Sequence, residues 1–159
     1  MPPLLAVNAL LAPALAAAPP ATGQGALQVT SHLLVERRVA ARDGTTRIVM
    51  ADAVRVRPGD RLVVTLAWRN TSHQPIADLM LADPVPAALA YRGAADGSPA
   101  PDLSVDGRDF APLAALTVAS PAGGTRPAAA ADVVAVRWRF DRPLAPGATG
   151  SVGFRAVLK

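Results

Sequence analysis

The segment Arg55–Tyr91, RVRPGDRLVVTLAWRNTSHQPIADLMLADPVPAALAY, decides the fold. Leu62, Val64, Leu66 and Trp68 alternate with Arg61, Thr65 and Arg69, the period of a strand with one face inward. Before them stands Pro58-Gly59-Asp60, where proline presets φ and glycine accepts a positive φ, so a tight turn is expected. After them, Asn70 to Pro75 is polar and reads as a loop, and Ile76 to Leu81 as the next strand. Asp83-Pro84-Val85-Pro86 then reads as an irregular corner, because proline cannot donate to a central ladder.

The same pattern continues on both sides. Upstream, Leu27, Val29, Leu33 and Val35 share one strand face, opposite Gln28, Thr30, His32 and Glu36. A turn at Arg42-Asp43-Gly44 leads to a second extended run, Thr46 to Arg57, with Val54 and Val56 expected inward. Downstream, Asp106-Gly107 between Leu103-Ser104-Val105 and Arg108-Asp109-Phe110 carries the short hairpin signal. The Pro-, Gly- and Ala-rich stretch Ser120 to Asp132 reads as a long loop. Val134, Val136, Trp138 and Phe140 form an inward stripe, and beyond a turn at Pro146-Gly147 so do Val152, Phe154, Ala156 and Leu158. Such stripes from two sheets about 10 Å apart would bury both Trp68 and Trp138. The expected fold is all-β, an immunoglobulin-like antiparallel sandwich of about 7–9 strands, with a closed barrel as the alternative.

The first residues bear on the compartment. Leu4 to Leu15 is apolar and runs into Ala14-Leu15-Ala16-Ala17-Ala18, the layout of a signal-peptide core and its A-x-A cleavage site. No Lys or Arg precedes that core, and Pro19 disfavours a cut directly after Ala18, so cleavage is expected near Ala16 to Ala21. Spanning a bilayer takes about 20 apolar residues, and Pro13 interrupts this run. The division expected is therefore a signal peptide and short linker over residues 1–20 and one sandwich domain over 21–159. Such a protein is periplasmic, extracellular or on the cell surface, with no stable membrane insertion once the signal is removed.

Several motifs together resemble a known family, the conserved-repeat domain of bacterial cell-surface and envelope proteins, a domain of unknown function. They are Pro58-Gly59-Asp60 before a strand, Trp68-Arg69-Asn70 at that strand's end and the Asp83-Pro84-Val85-Pro86-Ala87-Ala88-Leu89 corner. Val105-Asp106-Gly107 through Phe110 and the closing Leu144-Ala145-Pro146-Gly147-Ala148-Thr149-Gly150 complete the match, which covers nearly the whole exported part. The resemblance implies an immunoglobulin-like sandwich in the envelope and no catalytic residues. Many members are arrays of such domains; this chain holds a single copy.

Composition narrows the function classes. There is no cysteine, hence no disulfide, no thiolate nucleophile, no cysteine-held zinc and no lipobox cysteine. The formal charge is +4, and Lys159 is the only lysine beside 15 arginines spread along the chain. Nucleic-acid binding needs a focused basic patch, often with exposed aromatics; here the aromatics fall on apolar faces, so no nucleic-acid partner is expected. Weak attraction to anionic envelope polymers fits the charge.

The candidate metal ligands are Asp102, Ser104, Asp106 and Asp109, because Asp102-x-Ser104-x-Asp106-Gly107 matches the opening of a calcium loop. Position 12 of that loop, normally a bidentate Glu, is Leu113, so a hairpin turn is the simpler reading. Asp83 and Asp60 likewise read as residues that bond their own turn backbone. His32 and His73 lack the spacing of a metal pair, and Glu36 is the single glutamate. No catalytic residue and no cofactor is expected, calcium at the Asp102–Asp109 loop being the one candidate. The expected role is a structural or protein-interaction module that binds an envelope or surface protein, or itself, through loops or a sheet edge. Ser151 to Leu158 reads as that edge. The alternative is a small calcium- or ligand-binding periplasmic protein.

Overall fold

A computed structural model describes residues 25–159. The signal-peptide and cleavage-site expectations lie outside these residues. Ten strands in antiparallel ladders form the described chain, with two short 3-10 turns at Leu113–Ala115 and Ala130–Asp132. The architecture is an all-β sandwich.

The larger sheet has five strands in the order β2-β1-β3-β10-β5. They are β1 (Leu27–Ala40), β2 (Thr46–Asp52), β3 (Arg61–Asn70), β5 (Leu89–Ala94) and β10 (Thr149–Leu158). The facing sheet has three, in the order β4-β9-β6, from β4 (Met80–Pro84), β6 (Asp102–Ser104) and β9 (Ala135–Arg139). A two-stranded ribbon pairs β7 (Thr117–Ala119) with β8 (Thr125–Pro127), and β8 lies in the stretch from Ser120 to Asp132 expected as a long loop.

The alternation predicts the core well in the middle of the chain. Leu62, Val64 and Leu66 of β3, and Val152, Phe154 and Ala156 of β10, are buried against Leu81, Leu103, Val136 and Trp138 of the smaller sheet. These apolar side chains leave water together, which is the main force holding the two sheets face to face. Tyr91 packs beside Phe154 with ring centroids 6.0 Å apart. Trp68 is only half-buried, unlike Trp138; it meets Phe140 edge-on at 5.5 Å.

Five expectations change. Ser151 to Leu158 is not an edge: β10 is hydrogen-bonded to β3 on one side and β5 on the other. The extended run from Thr46 ends as a strand at Asp52; Val56 packs on the core, but Val54 is 84% exposed because the chain turns away at Asp52. Ile76 only bridges Leu144, and the strand expected there starts at Met80. Pro84 is the last paired residue of that strand, tolerated because β4 is an edge. Finally, Val29 and Leu33 sit on the predicted face yet stay exposed, since the three-stranded sheet is too narrow to cover the ends of the five-stranded one; Val134, just before β9, is exposed between buried Val133 and Ala135.

Candidate functional site

The turn motifs serve the fold. Asp60 accepts a hydrogen bond from the Arg57 amide at 2.9 Å, and Gly59, at φ +90°, donates to the Leu158 carbonyl. Pro58-Gly59-Asp60 therefore ties the start of β3 to the end of β10. Asn70, fully buried, does the same at the other end. Its side-chain amide donates to the carbonyls of Gln74, Leu144 and Ala145, and its oxygen accepts from the Ser72 amide and hydroxyl. The Gly147 amide of the Pro146-Gly147 turn donates to the Asn70 carbonyl.

The candidate calcium ligands are engaged in other work. Asp102 lies 3.4 Å from an Arg137 guanidinium nitrogen and 3.6 Å from Arg139 Nε. Arg137 is in turn stacked over the Phe110 ring at 4.3 Å. Ser104 is buried and accepts from the Gly107 amide at 2.8 Å, while its hydroxyl donates to Asp106. Asp106 also accepts from the Arg108 and Asp109 amides, and these bonds hold its carboxyl below the ordinary aspartate range. A cation there would have to displace two guanidiniums and break a turn. Among the described residues no three His, Asp or Glu side chains are grouped so as to hold a metal ion. Asp106-Gly107 is a turn, although the second hairpin strand reduces to a single bridge between Leu103 and Ala111.

Asp83 departs from its expected role. No bond to its own corner backbone exists among the described residues. It stands opposite Val136 on the core-facing side of β4, and burial pushes its carboxyl above the ordinary value. His32 and His73 are both exposed, on β1 and in a loop.

The surface that does not serve the fold is the β1–β2 hairpin. β3 covers β1 only from Leu27 to Val35, whereas β2 pairs with Leu34 to Ala40. The ribbon beyond Val35 therefore overhangs the sandwich, a two-stranded piece of a kind that is marginal in water when nothing packs on it. Its tip is locked by Asp43, which accepts from the Thr45 amide and hydroxyl. Eight large apolar side chains are exposed among the described residues. Three of them (Val39, Ile48 and Met50) lie on this overhang, Val29 and Leu33 on the part of β1 that β3 pairs, and Val54 just past β2, with Met80 and Val134 elsewhere.

On the outer face of the five-stranded sheet the hairpin borders a groove of about 840 Å³. Ile48 and Met50 form its apolar wall, and Arg61, Arg92 and Arg155 its basic floor. Arg155 is paired with Asp96 and lies 4.0 Å from Glu36. It sits where the β10–β5 ladder shifts register, an irregularity that re-aims a side chain out of the pleat. Sequence reasoning missed this site. Ile48-Val49-Met50 is a legible apolar run, but only the pairing limits of β1 show that one side of it stays uncovered.

Comparison with known proteins adds no relative: the chain matches no protein-family model, no curated protein and no solved structure.

Proposed function

We propose that this chain is an exported, non-catalytic protein-interaction module of the bacterial envelope, and that the β1–β2 hairpin is its contact surface. The observation that carries the reading is the exposed apolar pair Ile48 and Met50 on one face of the overhanging ribbon, at the wall of the groove. Contiguous exposed apolar surface marks an interaction site, and a hairpin that lacks a covering layer gains stability when a partner supplies one. The adjoining groove offers the partner both an apolar wall and arginine donors for carboxylates. Export is supported by the apolar Leu4–Leu15 run and its alanine-rich end, and the envelope setting by the resemblance of the turn motifs. The buried and multiply bonded polar side chains, Asn70, Ser104 and Asp106, serve turns, which fits a binding module rather than an enzyme.

The test is photo-crosslinking in intact cells from a probe at position 48, with position 117 on the ribbon of the smaller end as control. A discrete protein adduct from position 48 and none from position 117 is expected. Equal, diffuse labelling from both would overturn the reading. Mass spectrometry of the mature N-terminus checks export, with a start between residues 17 and 22 expected.

A further inference from the structure

We propose that two copies of this chain pair edge to edge through the N-terminal half of β1, in antiparallel register about a two-fold axis at Val29. The inference goes beyond the hairpin reading and uses a different surface, the open backbone edge next to the hairpin.

The geometry follows from the alternation of an antiparallel strand, in which successive residues point their N–H and C=O to opposite sides. The Ala26 carbonyl accepts from Thr71, toward β3. The Leu33 carbonyl accepts from Ala53, on the side of β2. Residues of the same parity as Leu33, namely Leu27, Val29 and Ser31, therefore direct both backbone groups to the side away from β3. There β2 has already ended, since its ladder reaches only Leu34. Among the described residues nothing pairs with these three on that side.

An open edge is a template for another strand unless charge, proline or a covering element blocks it. The other edges are blocked. The outer side of β2 carries Arg47 and Asp52. β5 is flanked by the 3-10 turn at Ala130–Asp132, β4 ends in Pro84, and β6 is bridged by Ala111. Leu27 to Leu33 contains neither proline nor Asp, Glu, Lys or Arg.

The same edge is complementary to itself. With Val29 on the axis, Leu27 faces Ser31 of the second copy, and Val29 faces Val29; all three edge-directed residues of each strand exchange bonds. On the outer face Gln28 meets Thr30, polar against polar. Moving the axis to Thr30 would set Leu27 against Leu33 of the second copy, whose carbonyl is already taken by Ala53. At Val29 the pairing ends at Leu27 with Ser31, because Gly25 would fall opposite Leu33, where Ala53 already sits, and the second copy turns away from the seam there. Val29, 43% exposed in the single chain, becomes covered. No like charges meet at the seam, so a second copy with its own charge of +4 is not repelled there.

The chain has no cysteine, so one introduced thiol reports on its own twin. Val29→Cys should form a disulfide-linked dimer under mild oxidation, because directly paired strand residues lie within disulfide reach; Thr46→Cys, on the hairpin, should not. By sedimentation, the unmodified chain should dimerise at micromolar concentration. Val29→Lys and Val29→Glu should each weaken the dimer about a hundredfold, and mixing the two should restore it, since only a residue on the axis faces itself. Near-unchanged melting of both variants checks the fold. The inference is overturned if the unmodified chain stays monomeric, if the lysine variant still dimerises, or if oxidation links Thr46→Cys as readily as Val29→Cys. Dimerisation lost in Ile48→Lys but kept in Val29→Lys would also overturn it, while leaving the hairpin reading standing.

Discussion

The side-chain amide of Asn70 donates to the Leu144 carbonyl at 2.9 Å, across 74 residues of chain. This bond joins the end of β3, the central strand of the larger sheet, to the approach of its inner neighbour β10. Two amide hydrogens are shared among three carbonyls, and the oxygen accepts twice, so the buried side chain leaves nothing unpaired.

Asn70→Asp should be the most damaging isosteric change in the chain. A carboxylate would face three carbonyl oxygens in a buried site, with no proton to donate. A loss of about 3 kcal/mol is expected from the unmade bonds and the desolvated charge. Urea unfolding at neutral pH measures it, and part of the loss should return at acid pH as the carboxyl protonates.

Gly150→Ala should displace the Trp68 indole. A Cβ there would lie 2.8 Å from Trp68 Cε2 and closer still to Cζ2. The ring must then leave its edge-on contact with Phe140, at a cost of about 1–3 kcal/mol for overpacking. Thermal melting gives the cost. A shift in tryptophan emission, absent in a Gly150→Ala chain that also carries Trp68→Phe, assigns it to this ring.

Asp83→Asn should stabilise the protein at neutral pH. Burial raises the Asp83 carboxyl above 3.8, so in the window between 3.8 and its folded-state value the folded chain holds more protons than the unfolded one. Stability then falls as pH rises through that window, and the asparagine removes the dependence. A gain in melting temperature of roughly 2 °C at pH 7, vanishing below pH 4, is expected.

Asp132 behaves with the opposite sign. Its pair with Arg126, together with the Ala129 amide, holds its carboxyl down to about 2. The stability it contributes is present above the ordinary value of 3.8 and lost as pH falls through about 2. Asp132→Asn should therefore flatten the acid limb of the stability curve, read by melting between pH 2 and 5.

Calcium should leave the melting temperature unchanged at millimolar concentration, because Asp102 is occupied by guanidiniums and Asp106 by backbone amides. Asp106→Ala should lower the melting temperature through the two freed amides, equally with and without the ion.

The alternation in Leu62–Trp68 and Val152–Leu158, and the turns at Gly59 and Gly147, were readable because they are local. A strand face repeats every second residue, and a strongly positive φ, as at Gly59 and Gly147, favours glycine whatever surrounds it. From these alone the chain is an all-β sandwich, the inward stripes of β3, β9 and β10 are named, and Pro58-Gly59-Asp60 and Pro146-Gly147 are turns. Which strand lies beside which is not local. β10 looks like a bare terminal edge in sequence, yet its ladders to β3 and β5 place it inside the sheet, and the uncharged edge falls instead to Leu27–Ser31. Exposure was undecided for the same reason. Val29 carries the apolar signature of a core position, but the facing sheet has three strands against five, and Ile48 and Met50 lie on the outer face where no layer covers them.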